Sequence, residues 1–512
     1  MSGPGDPKPS GPAGEQPSPV PARAASGPVG SGQPQSAHPG GAAPAQSGPH
    51  AARTPPAAAP APAQGGPHAA RTPPAASVDH AERDWILRGV RPVRGQLLDA
   101  PSDVVITGGV VERVAPQGAA KAGRHTVLEL PGYVVLAALA EPHTHLDKAL
   151  TADRVANPRG DLPGAIDKWM AVGPRERYHD LEERALRVLA DGLAAGVTAF
   201  RTHVDTGAAT GLDPLERLLA VKKAVAPWVD LQVFPSFGLP VTGRDGLSQR
   251  RLIERAIEAG ADGIGGAPNF DPAPGEALAI ILDTAAQGGV PLDLHLDETL
   301  DPAHFLLEDV AERAGALGVP VTVDHVCSLA LQPPERIAAT AAKLAQARVN
   351  VVTLPLTNLY LQGREAASPV QRGITAVRDL LDAGVNVAGG ADNLLDAFNL
   401  VGRPDPLETA ALLVAGAHLT IAEALHAVTQ AARSTLGLGP AGPAPGAAAD
   451  LLVARARSPQ ELVAFAPPER LVFKGGSLVA RTETQREPVP WAGADGIGHL
   501  ACKTPTPTQV TT

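Results

Sequence analysis

The run Gly132-Tyr-Val-Val-Leu-Ala-Ala-Leu-Ala-Glu-Pro-His-Thr-His-Leu-Asp-Lys148 passes from unbroken apolar residues into a polar tip. The apolar part, 132–141, reads as a strand, and the tip reads as its carboxyl end. His143 and His145 are two residues apart there, so in extended backbone both imidazoles leave the same face and can close on one metal ion. The same pattern of apolar run and polar end returns at 197–205, 229–235, 261–268, 291–298, 319–328, 350–358 and 386–393. Stretches between them, such as 180–193 and 333–347, carry apolar residues at helical spacing. Strands alternating with helices predict parallel β/α units, and eight such units predict a (β/α)8 TIM-type barrel in the α/β class. In such barrels the chemistry sits at the carboxyl ends of the strands, where the polar residues of these segments collect.

Outside the barrel the pattern changes. Short β-like runs at 85–90, 104–114 and 126–130, broken by Gly and Pro, predict a small antiparallel sheet, and similar runs return at 450–455 and 471–480. Each could bury an apolar face only against the other, so the two chain ends are expected to form one composite β-sandwich. Residues 1–80 are Gly, Pro, Ala, Ser and Gln with almost no large apolar side chains, which predicts a disordered low-complexity tail. Within it the run 48–58 recurs at 66–76, a local duplication. The expected organisation is thus tail 1–80, first sandwich part 81–136, barrel 137–436, second sandwich part 437–484 and a flexible C-terminal tail 485–512.

The chain has 512 residues, 44% hydrophobic and 19% charged, enough for a sizeable core. A formal net charge of −10 without a basic cluster argues against nucleic acid or an anionic membrane as partner. Two distant cysteines, Cys327 and Cys502, predict no disulfide framework, and neither a signal peptide nor an apolar run of spanning length is visible. Those features predict a cytoplasmic protein that works on a small molecule; a homo-oligomer is compatible with them.

The strand-end residues then form a set: His143 and His145 on the first strand, His295 on the fifth, His325 on the sixth and Asp392 on the eighth. Three imidazoles, or two plus a carboxylate, suit one divalent ion, Zn²⁺ or Fe²⁺, with a position left for water. Glu298, three residues beyond His295, is placed to act as a proton shuttle.

These residues stand in motifs that resemble the amidohydrolase superfamily, and within it the cytosine deaminase group with its relative N-isopropylammelide amidohydrolase. The resemblance spans 85–480 and rests on Glu141-Pro-His-Thr-His-Leu-Asp-Lys148, Arg201-Thr-His-Val-Asp205, Asp293-Leu-His-Leu-Asp-Glu298, Val321-Thr-Val-Asp-His325, Leu354-Pro-Leu-Thr-Asn-Leu-Tyr-Leu-Gln-Gly-Arg364, Arg372-Gly-Ile-Thr375 and the run 384–393. It implies that His143, His145, His295 and Asp392 bind one metal, that Glu298 moves protons to a ring nitrogen, that His325 orients the metal-activated water, and that Asp392 takes the proton of that water. The implied reaction is hydrolytic deamination of a heterocyclic amine, with water as co-substrate.

The chain also departs from the group. Ser236-Phe237 follows Phe-Pro where cytosine deaminase has a glutamine, Asn393 follows Asp392 where the group has a second aspartate, and Phe398 stands where a ring-stacking tryptophan falls. With His203 and Lys148 these are the expected substrate-binding residues. Lys148 after His-Leu-Asp makes an N-alkylaminotriazine amidohydrolase the alternative; a non-catalytic binding barrel is the third reading, disfavoured because every ligand position is filled.

Overall fold

The structure is a computed structural model that describes residues 83–95, 97–364, 372–485 and 510–511. The low-complexity segment 1–80, its duplicated run and most of 485–512 lie outside the described residues. In chain order the strands are β1 (Trp85–Arg94), β2 (Leu97–Leu98), β3 (Ser102–Thr107), β4 (Val110–Pro116), β5 (Thr126–Glu129), β6 (Tyr133–Ala137), β7 (Leu139–Thr144), β8 (Val197–Asp205), β9 (Asp230–Ser236), β10 (Ile264–Gly266), β11 (Leu292–Leu296), β12 (Val321–His325), β13 (Asn350–Thr353), β14 (Val387–Gly389), β15 (Leu451–Arg455), β16 (Arg470–Lys474), β17 (Ser477–Thr482) and β18 (Val510–Thr511).

Strands β7 to β14 lie side by side in sequence order, every neighbouring pair parallel. The two outer strands meet where Asp392 N donates to His143 O at 3.0 Å and Thr144 bridges Asp392, which closes the sheet into a (β/α)8 barrel. Helices such as Leu181–Ala195, Pro274–Gly288 and Pro334–Ala347 pack outside it; each opens or closes with the expected punctuation, for example left-handed Gly196 and Gly289 at the first two C-termini. Phe200, Val233, Ile264, Leu294, Val323 and Val351 of the successive strands β8 to β13 join the helices in one apolar core. The barrel floor is built from small residues, Ala140, Ala199 and Ala388, which let Ala431 and Ala432 of the helix Gln430–Thr435 approach closely.

Strand β1 ties the two chain ends together. Its first half, Trp85–Arg88, pairs with β3 and β5, and after a bulge at Gly89 its second half pairs through Arg91 and Pro92 with β6. Gly89 has φ 77°, a backbone region that side chains disfavour, so glycine permits the bend. Trp85, Leu87, Val104 and Ile106 share a core with Val135, Leu451, Val453 and Phe473, and Trp85 meets Phe473 edge to face at 5.7 Å. The alternate residues Val134, Leu136, Leu452 and Val472 face the other way and join the barrel core.

Three expectations need correction. The run 132–141 is two strands: β6 pairs with β1 and β15, and β7 alone enters the barrel. Both are fully buried, so apolar continuity carried no sign of the break. The N-terminal sheet is mixed, because β1 runs parallel to β5 and β6. The run 350–358 stops as a strand at Thr353, and Pro355 begins the helix Pro355–Leu361, which therefore carries Asn358. Among the described residues no helix is long and apolar enough to cross a membrane.

Candidate metal centre

Strand β7 delivers His143 and His145 to the barrel mouth with both Nε2 atoms on one side, 3.4 Å apart. His295, at the end of β11, brings its Nε2 to 3.1 Å from that of His145. Asp392, just beyond β14, places Oδ1 at 3.4 Å from His143 Nε2 and 3.2 Å from His145 Nε2. Ligand atoms at about 2.0–2.1 Å from a tetrahedral ion lie about 3.3–3.4 Å from one another. His143, His145 and Asp392 therefore have the mutual spacing of a coordination shell, and His295 adjoins it through His145. Two imidazole nitrogens at 3.1 Å repel through their lone pairs unless something positive lies between them, and burial holds His145 down to about 3 and His295 well below the ordinary histidine range. Against the lowering effect of burial, Asp324 and Asp392 hold His143 well above the ordinary histidine range, so without a cation the cluster carries its positive charge there. Two neutral imidazoles, a third backed by Asp324 and one carboxylate fit a divalent cation, which would be held by His143, His145, His295 and Asp392.

Behind the set lies a layer that includes Asp293 and Asp324, to which the sequence assigns no role, and His203, expected to bind substrate. Asp324 Oδ2 sits 2.9 Å from Nδ1 of His143, off the line of an ideal hydrogen bond, and is the acid that can keep Nδ1 protonated and Nε2 free to bind. Asp293 is gripped by Arg201 at 2.6 Å, and His203 stacks on His143 with ring centroids 4.3 Å apart. His143, His203, His295 and Asp324 form a second, overlapping group of metal-type donors. The approach of the His143 and His145 Nε2 atoms to Asp392 favours a centre on that side, since Asp324 addresses the opposite edge of His143. Asp324 and His325 are neighbours, so strict strand alternation would send them to opposite faces. His325 escapes this with φ 65°, followed by Val326 at φ 42°, and its ring lies 5.7 Å from that of His143. Left-handed backbone at Asp297, His325, Val326, Asp392 and Leu395 concentrates strain at the mouth, the usual place for it in an active site.

Glu298 and His325 meet beside the ligand set. Glu298 Oε1 is 3.4 Å from His325 Nδ1 and 3.4 Å from Asn358 Nδ2, which also donates to His325 Nδ1 at 3.0 Å. An amide nitrogen can only donate, so neutral His325 carries its proton on Nε2, a buried atom with no protein partner. Burial brings His325 down to about 4 and pushes the Glu298 carboxyl well above its ordinary range, with the nearby Asp392 charge adding to the rise. Asn358, inside a quoted motif, escaped notice because its segment read as strand.

The expected pocket residues are dispersed around this centre. Ser236 ends β9 and Phe237 follows it, buried beside Gly266. Asn393 donates its amide to Asp396 Oδ2 at 3.0 Å, and Asp396 in turn accepts the N–H of Phe398 at 2.8 Å, so Asn393 and buried Phe398 belong to one pinned loop. Lys148 is buried between Asp147 at 3.1 Å and Asp205 at 2.8 Å. His203 lies inside the barrel behind His143 rather than at the mouth, and neither of its ring nitrogens has an aligned hydrogen bond.

Comparison with known proteins places this geometry. A curated pterin deaminase from Rhizobium rhizogenes is 32% identical over 396 residues, 74% of this chain and 88% of that protein. The crystal structure of 5-methylcytosine deaminase from Klebsiella pneumoniae liganded with 5-fluorocytosine superposes with a TM-score of 0.70 at 28% identity, covering 80% of this chain and 99% of that one. N-isopropylammelide isopropylaminohydrolase from Burkholderia multivorans superposes with a TM-score of 0.66 at 29% identity, covering 78% and 98%. Residues 175–480 match the profile of the amidohydrolase family, and with a closed barrel that carries a cluster of histidines and aspartates at its strand ends, the chain belongs to that family.

Proposed function

We propose that the protein is a hydrolytic deaminase of a heterocyclic amine that works with one divalent ion, Zn²⁺ or Fe²⁺. The observation that carries the reading is the Glu298, His325 and Asn358 cluster, a proton-handling set beside the histidines and Asp392 of the proposed metal centre. A cation held by His143, His145, His295 and Asp392 supplies Lewis acidity and lowers the pKa of its water toward neutrality. Asp392, whose Oδ1 faces His143 and His145 as the proposed ligand atom, is the carboxylate assigned to accept the proton of the attacking water. Glu298, buried and held protonated, gives a proton to the ring nitrogen next to the attacked carbon and can return to the acid form by collecting the one Asp392 received. Glu298 then protonates the amine, which departs as ammonia as the carbon–nitrogen bond breaks, and the added hydroxyl gives up its remaining proton as the carbonyl forms, which restores Glu298 to the acid form. His325, fixed by Asn358 with a proton on Nε2, offers one donor toward the incoming oxygen, which orients attack without itself changing charge.

For the substrate, a pterin-type ring is the first choice, because the relative matched over 88% of its length is a pterin deaminase. The changes at Ser236 and Phe398, both smaller than the residues they replace in the cytosine deaminase group, agree with a larger ring than cytosine. Burial of the Lys148 ammonium between two carboxylates leaves less of it for a triazine, which ranks that alternative lower. The test is ammonia release from zinc- and iron-loaded protein over pterins, aminopyrimidines, aminopurines and N-alkylaminotriazines. Turnover of at least one heterocyclic amine, lost in His295→Ala, supports the reading. Failure of every amine with stoichiometric metal in place refutes it.

A further inference from the structure

The barrel has a seam. Strands β7 and β14 are its two outer strands, and no continuous ladder joins them: Pro142 has no N–H, and Ala140 N bonds Val428 O instead of a strand neighbour. The metal-ligating residues His143 and Asp392 lie on opposite sides of this seam. Beside the one backbone bond from Asp392 N to His143 O, the side chain of Glu141 crosses it near them. Its Oε1 accepts the N–H of Ala391 at 3.0 Å and stands 3.4 Å from the N–H of His143, next door to the Asp392 N–H that bonds His143 O. Glu141 is fully buried, and its other oxygen, Oε2, has no hydrogen-bond partner. Gly390 makes room for it: a Cβ there would lie 2.9 Å from Glu141 Oε1.

We propose that Glu141 is a positioning residue, a clasp that supplies the missing backbone bond across the seam and so sets the distance between His143 and Asp392. A carboxyl oxygen on one strand that accepts an N–H from the other does the work of a ladder carbonyl, and it does so two residues before His143 and at the residue next to Asp392. The unpartnered Oε2 indicates that the acceptor atom, rather than a second bond, is what the site uses. This inference rests on the reading of His143, His145, His295 and Asp392 as ligands for its consequence, and on the backbone geometry alone for the clasp itself.

The two parts separate in one experiment. Zinc affinity is measured by chelator competition, and amide exchange at 390–393 is followed in zinc-free protein, for wild type, Glu141→Gln, Glu141→Ala and Gly390→Ala. Gln keeps an acceptor oxygen for Ala391, and should match wild type in both measurements. Glu141→Ala leaves a buried N–H without a partner, and Gly390→Ala pushes the clasp away; both should raise exchange at 390–393 and weaken zinc binding by about tenfold or more, the usual effect of losing an outer-shell partner. A merely structural residue would lower the melting temperature without this split between Gln and Ala. Equal exchange in wild type and Glu141→Ala, or a Gln variant as impaired as the Ala variant, overturns the proposal. Exchange that follows the expected pattern in a protein that takes up no zinc supports the clasp and refutes the ligand assignment.

Discussion

Glu298→Gln separates proton transfer from metal binding. The substitution keeps shape, and the amide oxygen can still accept from Asn358 Nδ2, now 3.4 Å from Glu298 Oε1. What it removes is the ability to give or take a proton, a loss that typically costs on the order of 10² to 10⁴ in rate. The surroundings decide where in that range the variant falls. Burial and the Asp392 charge hold Glu298 in its acid form, and the nearest histidine cannot replace it: His325 is down at about 4 and already spends Nδ1 on Asn358. With no second acid at hand the expected fall is the upper part, about 10³- to 10⁴-fold in kcat, equivalent to about 4–5.5 kcal/mol in the barrier. The assay is steady-state ammonia release on the best amine from the screen, with metal content measured on the same preparation. Metal should stay at wild-type stoichiometry, because Glu298 stands three residues past His295 and none of the short ligand-type contacts involves it. Loss of metal in the variant would make Glu298 a ligand, and full activity would remove it from the chemistry; either result refutes the reasoning.

Other perturbations have equally definite outcomes. His295→Ala removes one of four ligand atoms and should empty the site of metal and abolish turnover, checked by elemental analysis after dialysis. Asp297, which accepts the N–H groups of Leu306 and Leu307, is pushed by burial up to about 6 against an unfolded value of about 3.9. The native state then binds that proton more tightly, so the cost, up to about 3 kcal/mol, is full above pH 6 and is relieved as pH falls toward 4. Asp297→Asn should flatten that part of the stability profile of the metal-free protein in denaturant titrations at pH 4 to 7; an unchanged slope refutes the assignment. Thr420 and Glu423 form a reciprocal capping box on the helix Ile421–Ala427, and Thr420→Ala should cost about 1 kcal/mol in chemical unfolding without touching kcat.

The sequence by itself determined the architecture, because period and composition are local signals. Eight apolar runs with polar ends, separated by helix-spaced stretches, suffice to imply a parallel barrel, and the two-residue spacing of His143 and His145 suffices to put both rings on one face. The strand-end positions of His295 and Asp392 were legible for the same reason: a polar residue at a strand end declares itself once the strand is recognised. Boundaries inside continuous burial were not legible. Nothing in 132–141 distinguishes β6 from β7, since every residue of both is enclosed and the sheet each joins is chosen by distant partners, β15 for one and β8 for the other. The outer layer was equally hidden. Asp324 and His325 reach the same ring only because the chain turns left-handed at His325, and Asn358 meets that histidine only because Pro355 starts a helix. Glu141 was in view from the start, in the very run that announced the fold, yet its bond to Ala391 spans 250 residues. A contact of that kind has no local signature: periodicity reports which face a side chain takes, and only closure of the barrel decides what stands opposite it.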